Sequence, residues 1–390
     1  MTKERTHGFK ASIKLILIAV LSILSLIIFG TMSWVGTKAW TNYSTASGAI
    51  EFDASANRFI AGLYEVLLER LEVNNALLAA EPASPAVLAK ISASRKIIGD
   101  NFDSGLAGIE RREFPNKEAL LQDLKTALQK ANDHRRHADA AIKLPRDKRG
   151  DTLRKTFAPT ITQSVNAGLK VWFAALYATA KHDPQLERLA TIKEIGWRLR
   201  DYSGQERAIV ASAIASGSAI PAEGWAAIVG HRARVAVLWD QLLNLTVDAG
   251  TDPAIIEAMR GAQQKYFQDF LSLSNGMKKL SDAGDKYPTN AAQWVDTTNP
   301  QIGALLEVLY AAAKVGETSA GQTANRSLRE LFFTIGLLVF GLAISAVSIW
   351  TVIVRVTRPL STISGVLIEL ANGNKAVDIP YTGRGDEIGA

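Results

Sequence analysis

The chain contains no cysteine among its 390 residues and only five histidines. The first absence removes disulfide staples and thiolate metal sites. The histidines are His7, His134, His137, His182 and His231. His134 and His137 are three apart, close enough to share a helix face, but no third ligand accompanies them. A solvated face is the expectation, with no metal and no cofactor. No Ser-His-Asp arrangement and no phosphate-cradling glycine loop is identifiable, so no enzyme is expected within this chain. Period-two alternation is also scarce. Glycine and proline gather at breaks rather than inside the periodic runs, which points to an all-α fold. The net charge of +6 is modest, and the basic residues are mixed with acids or flank apolar runs. That pattern excludes a nucleic-acid patch.

Two long uncharged runs dominate what is present. Leu15 to Val35 has twenty-one residues without charge, and Leu331 to Val354 has twenty-four. At about 1.5 Å per residue each spans a hydrocarbon core of about 30 Å. The first is longer than a signal-peptide core, and Trp34 and Trp40 bracket its far end as an interfacial belt. Lys3, Arg5, Lys10 and Lys14 precede it, while Arg355 and Arg358 follow the second run. The positive-inside bias then predicts cytoplasmic segments at 1–14 and from 355 onwards. The expected organisation is a first span at 15–35, an extracytoplasmic region at 36–330 and a second span at 331–354.

The region between the runs reads as helix throughout. Ser84-Pro85, Phe114-Pro115, Asp183-Pro184, Ile220-Pro221 and Asp252-Pro253 punctuate it. A shift of 137 residues places Glu69-Arg70 on Glu206-Arg207, Ile91 on Ile228, Arg95 on Arg232, Phe102 on Trp239 and Phe157 on Trp294. No gap is needed. The expectation is two homologous modules, at about 53–187 and 190–324, each an up-down four-helix bundle.

Arginines interrupt apolar seams in both modules. Leu88, Ile91, Arg95, Ile98 and Phe102 follow a 3-4-3-4 spacing, as do Trp225, Ile228, Arg232, Val235 and Trp239. Arg70 lies in the seam Phe59, Leu63, Val66, Val73, Leu77. Arg207 lies in a more polar seam with Ser203 and Arg200 before it. Hairpin geometry predicts Arg70 level with Arg95 and Arg207 level with Arg232. Buried arginines facing one another cost several kcal/mol unless something anionic pairs with them. Either internal acids compensate, or a ligand such as nitrate, phosphate or a carboxylate does. The ligand-site expectation is Arg70, Arg95, Arg207 and Arg232. Glu69 and Glu206 are expected to point elsewhere, because adjacent helical residues do not share a face.

After the second span, Leu360, Ile363, Leu367 and Leu370 form a narrow coiled-coil seam. Pro359 opens the helix, Asn372-Gly373 stop it, and Asp386-Glu387 start another. Pro359, Gly373 and the run Asp386-Glu387-Ile388-Gly389 resemble the HAMP domain of bacterial transmembrane receptors. The resemblance implies a parallel four-helix signalling module at 355–390, cut within its second helix at Ala390, and a homodimer, since one chain supplies only two helices. It also implies a cytoplasmic output domain beyond the chain. Separately, Leu67–Ala79 and Ser203–Gly217 resemble the Glu-Arg helices of nitrate- and nitrite-sensing domains. Carried over, that family's anion-binding arginines are Arg70 and Arg207. Leu71-Glu72 depart from the small residues usual there.

The combined expectation is an inner-membrane, multi-pass receptor with a periplasmic sensor for a small ligand, an anion being the candidate that the seam arginines offer. It resembles a methyl-accepting chemoreceptor in architecture. A sensor histidine kinase or a cyclic-nucleotide enzyme shares every one of these features. A ligand-free structural anchor or adhesin is the remaining class.

Overall fold

The computed structural model describes residues 13–181 and 183–389, so the basic stretch up to residue 12, with His7, and His182 lie outside the described residues. Among the described residues there are ten α-helices and no strand. They are α1 (Ile13–Leu78), α2 (Pro85–Glu110), α3 (Lys117–Ala141), α4 (Asp151–Ala180), α5 (Pro184–Ser216), α6 (Ala222–Thr246), α7 (Pro253–Gln264), α8 (Leu271–Ala283), α9 (Ala291–Thr351) and α10 (Arg358–Ala371). Two π-helical stretches join neighbours: Lys265–Phe270 between α7 and α8, and Val352–Thr357 between α9 and α10.

The punctuation read from the sequence sits at helix starts. Ser84 accepts the Val87 N–H, Asp183 those of Gln185 and Leu186, and Asp252 that of Ala254, each with proline in the first turn. These side chains satisfy N–H groups that have no partner inside the helix. Gly217 and Gly284, with φ of 64° and 71°, close α5 and α8 in the left-handed conformation.

The chain divides into two compact units. One comprises Ala46–Gly321; the other comprises residues up to Thr45 together with those from Gln322 onwards. The larger unit holds two apolar clusters. Phe59, Leu63, Phe102, Phe157 and Trp172 centre the first, and Ile192, Leu199, Tyr266, Phe270 and Trp294 the second. Helices α1 and α2 cross at close range: a Cβ on Gly105 would fall 2.4 Å from the Phe59 backbone nitrogen. The element boundaries also recur, with α2 starting at Pro85 and α6 at Ala222, 137 residues later.

In the smaller unit, the residues of the two uncharged runs belong to helices long and apolar enough to cross a membrane. Leu26, Phe332, Phe333 and Phe340 leave more than half of their surface uncovered. The Ser25 and Ser345 hydroxyls lie 2.8 Å apart, tying the two runs together. Beyond them, Pro359 takes its place in the first turn of α10, and Gly373 stops that helix with φ of 94°. Leu360, Leu367 and Leu370 are exposed. From Asn374 to Gly389 the backbone forms turns and bends, not a second helix. Two isolated i to i−3 bonds, Arg384 N–H to the Tyr381 carbonyl and Gly389 N–H to the Asp386 carbonyl, mark separate single turns. A lone turn fixes several residues for one bond and does not sustain a helix without packing.

Candidate functional site

The four arginines singled out by the sequence separate into two kinds. Arg95 is neutralised within its own bundle. Its Nε donates to Glu69 Oε1 at 2.7 Å, and its two Nη atoms grip Asp139 at 2.8 and 2.9 Å. Arg135 on α3 donates to the same Glu69 carboxylate at 2.5 Å through Nη2. Both carboxylates hold the Arg95 pKa above its ordinary value, against the opposing effect of burial. Arg232 repeats the arrangement: Nη2 lies 2.6 Å from Glu206 Oε1, and Nη1 donates to Asn275 at 2.8 Å. Ser274 donates to Glu206 at 2.6 Å.

The expectation that Glu69 and Glu206 point away is thereby corrected, since both are fully buried and both receive the seam arginines. The physical reason is that α1 and α5 are covered on two sides. Adjacent residues diverge by about 100° around a helix, yet both directions meet protein. Glu69 turns toward α2 and α3 while Arg70 turns toward α4. Arg70 and Arg95 do stand at one level, since Arg95 donates to Glu69 next to Arg70, but they do not face one another, because Arg70 donates to Thr162 on α4.

Arg70 and Arg207 are of the second kind, and Arg200 joins them. Arg70 Nη1 makes one hydrogen bond, to Thr162 Oγ1 at 2.6 Å. Arg207 Nη1 donates to Asn299 Oδ1 at 2.9 Å, an oxygen that also accepts the Tyr64 hydroxyl at 2.9 Å. Arg200 stacks over the Tyr64 ring at 4.5 Å. Arg200 and Arg207 are 1% and 2% exposed, yet Arg200 Nε, Arg200 Nη2 and Arg207 Nε have no hydrogen-bond partner among the described residues. Gly204 makes room for this: a Cβ there would meet Arg200 Nη1 at 2.5 Å.

The three guanidiniums feel one another. Burial first, then Arg200 and Arg70, push the Arg207 pKa down to about 9. An arginine in a protein nevertheless keeps its proton, so the strain appears as destabilising positive charge. Burial likewise lowers the Arg70 value, with Asp201 opposing and Arg200 reinforcing. Two carboxyls stand near without pairing. Burial raises the pKa of Glu72 despite Lys90 and Arg207, and that of Glu65 despite Arg200. Buried N–H groups without acceptors are rare, and each costs about 1–3 kcal/mol or more when charged. The arrangement suits a small anion that accepts several N–H donors at once.

The sequence reading passed over Arg200, although its spacing of seven from Arg207 places both on one face of α5. Its only signal was the polar interruption of that seam. Asn299, Tyr64 and Thr162 carried none. Among the described residues no group of His, Asp and Glu is clustered for metal binding.

A groove of about 1000 Å³ opens beside Arg70, between α1 and α4 on one side and α5 and α6 on the other.

No family model matches the chain. No curated protein matches it. Among solved structures, the NasR transcription antiterminator aligns over 88% of this chain and 90% of its own, with 12% identity and a TM-score of 0.57. At that identity the likeness establishes a shared helical fold.

Proposed function

We propose that this chain is the input half of a bacterial transmembrane receptor, most akin to a methyl-accepting chemoreceptor, whose periplasmic sensor binds a small anion. The observation that carries the reading is the cluster of half-buried Arg70 with fully buried Arg200 and Arg207, the last two with N–H donors left over and none of the three in an ion pair among the described residues. Arg95 and Arg232 are structural in this reading, because internal acids already neutralise them. The recurrence of the Glu69–Arg95 pair as Glu206–Arg232 supports a duplicated sensor of two modules.

The two apolar helices and their basic flanks support a multi-pass place in the cytoplasmic membrane. Pro359 in the first turn of α10 and Gly373 at its end support a HAMP module, whereas Asp386 and Glu387 lie in a bend and a turn and not at the start of a second helix. The exposed Leu360, Leu367 and Leu370 support a homodimer that closes the HAMP core. Anion binding would pass through the second span to HAMP and on to cytoplasmic signalling proteins.

The test is thermal melting of the full chain in lipid nanodiscs across nitrate, nitrite, phosphate and acetate. A ligand that binds only the folded state stabilises it by about 2.7 kcal/mol at a hundredfold excess over Kd. Nitrate or nitrite should shift the wild type and leave Arg200→Gln and Arg207→Gln unshifted. If no anion moves the wild-type transition, the arginines serve packing alone.

A further inference from the structure

The groove beside Arg70 is far larger than a triatomic anion requires. Its 1000 Å³ lies at the upper end of the range for pockets that enclose drug-sized molecules. Arg70 and Arg146 line it, and no aspartate or glutamate does. His231 adds no charge at neutral pH, since burial, then Arg234, hold its pKa below the ordinary value. The groove is therefore lined by positive charge, with Asp201 acting on Arg70 from outside the lining. Its walls are mostly apolar, with Leu71 and Leu78 from α1 and Ile209 from α5.

Arg70 is held for recognition. Thr162 Oγ1 accepts from its Nη1 at 2.6 Å and donates its own O–H to the Ala158 carbonyl at 2.7 Å, which fixes the hydroxyl as an acceptor toward Arg70. The other guanidinium donors of Arg70 make no bond among the described residues. A planar fork held on one side leaves the geometry that a carboxylate takes.

We infer that this groove binds an organic carboxylate with an apolar body of ring or short-chain size. The carboxylate sits on Arg70, and the body lies along α1 against Leu71, Leu78 and Ile209. The site shares Arg70 with the anion reading above but does not depend on Arg200 or Arg207. Because its walls come from four helices of both apolar clusters, an occupant would bridge α1 and α4 to α5 and α6.

The experiment is titration calorimetry on the full chain in nanodiscs with benzoate, phenylacetate and hexanoate, with phenylacetamide as the uncharged control and nitrate as the small anion. At least one carboxylate should bind once per chain, with phenylacetamide about tenfold weaker or worse, since a charge-assisted contact is lost. Arg70→Gln should weaken the carboxylate by a similar factor. Gln163→Trp, an exposed position on the groove's lip, and Ala208→Trp, on its wall, should block it while leaving nitrate heats unchanged. Because Gln163 is exposed, that variant keeps the test valid if Ala208→Trp misfolds. Failure of all three carboxylates, equal binding of the amide, or carboxylate binding unaffected by both tryptophans would overturn the inference. So would a groove already covered by a second copy, read as disulfide cross-linking between chains through Gln163→Cys. Carboxylate binding without nitrate binding would sink the anion reading and leave this one standing; the reverse would do the opposite.

Discussion

Glu206 Oε1 lies 2.6 Å from Arg232 Nη2, and the carboxylate has no exposed surface. Breaking such a pair by removing one partner leaves an uncompensated buried charge and typically costs about 3–5 kcal/mol. Glu206→Ala and Glu69→Ala should each lower stability by roughly 3 kcal/mol or more. Denaturant unfolding of the full chain in nanodiscs measures it. A loss under 1 kcal/mol for both would show that these carboxylates do not hold their bundles.

Arg207→Met should act in the opposite direction. It removes a buried cation that burial and two arginine neighbours already disfavour, so the unliganded transition should rise. Replacing buried charge with apolar volume is often neutral or stabilising by about 1–4 kcal/mol. Nitrate should then cause no further shift. A lower melting point together with a retained nitrate shift would contradict the assignment.

The affinity for the small anion should depend on pH through Glu72. Its carboxyl titrates above the ordinary glutamate value, with Lys90, Asp296 and Arg207 as the charged groups bearing on it. Above that raised pKa the carboxylate is ionised and competes for Arg207; below it, the neutral acid does not. Nitrate affinity should therefore rise as pH falls through the raised value, by about tenfold for each 1.4 kcal/mol of repulsion removed. Stability has the same sign: this group's contribution is fully present below the unfolded pKa and is lost as pH rises through the folded one. Glu72→Gln should flatten the affinity profile at its high level. Calorimetric titration with nitrate from pH 5 to 8 is the measurement, and a flat wild-type profile would refute the coupling.

Arg149 is buried at the C-terminus of α1, where its guanidinium donates to the carbonyls of Ala76, Leu77, Ala79, Glu81 and Leu144 at 2.6–3.1 Å. These carbonyls include acceptors left open where the helix ends, and the cation also meets the negative end of the helix dipole. Arg149→Ala should cost about 3 kcal/mol, and Arg149→Lys should recover less than half, because an ammonium lacks the planar fork. Chemical denaturation of both variants decides it.

Topology offers the most direct check on the receptor reading. Val247 is 79% exposed in the larger unit, so Val247→Cys should react with a membrane-impermeant thiol reagent in intact spheroplasts. Protection until lysis would place this region in the cytoplasm.

Helix boundaries and apolar runs were legible because they rest on local chemistry. Ser84-Pro85, Asp183-Pro184 and Asp252-Pro253 announce helix starts through their own side chains, and the 3-4 spacing of α2 and α6 marks their buried faces. The roles of Glu69 and Glu206 were not legible. A single seam per helix is assumed when faces are read from periodicity, and α1 and α5 bury more than one face. Arg135 could not be seen as the second partner of Glu69, since it comes from α3 and only packing brings it there. Arg200 was hidden for a related reason: a polar residue weakens a seam in the sequence, yet here it lies at the centre of the charge cluster.

The π-helical stretch Val352–Thr357 stores angular phase at the end of the second apolar run. Bonds from i to i+5 house an extra residue in a widened turn, whereas the α-helix advances about 100° per residue. Should those bonds reset to the α pattern, every side chain from Arg358 onwards would turn by roughly 100° and advance by about 1.5 Å along the axis. The row of Leu360, Leu367 and Leu370 would then face a different direction. Deletion of one residue inside the stretch would leave that row's bearing intact, while the same deletion within α10 would scramble it.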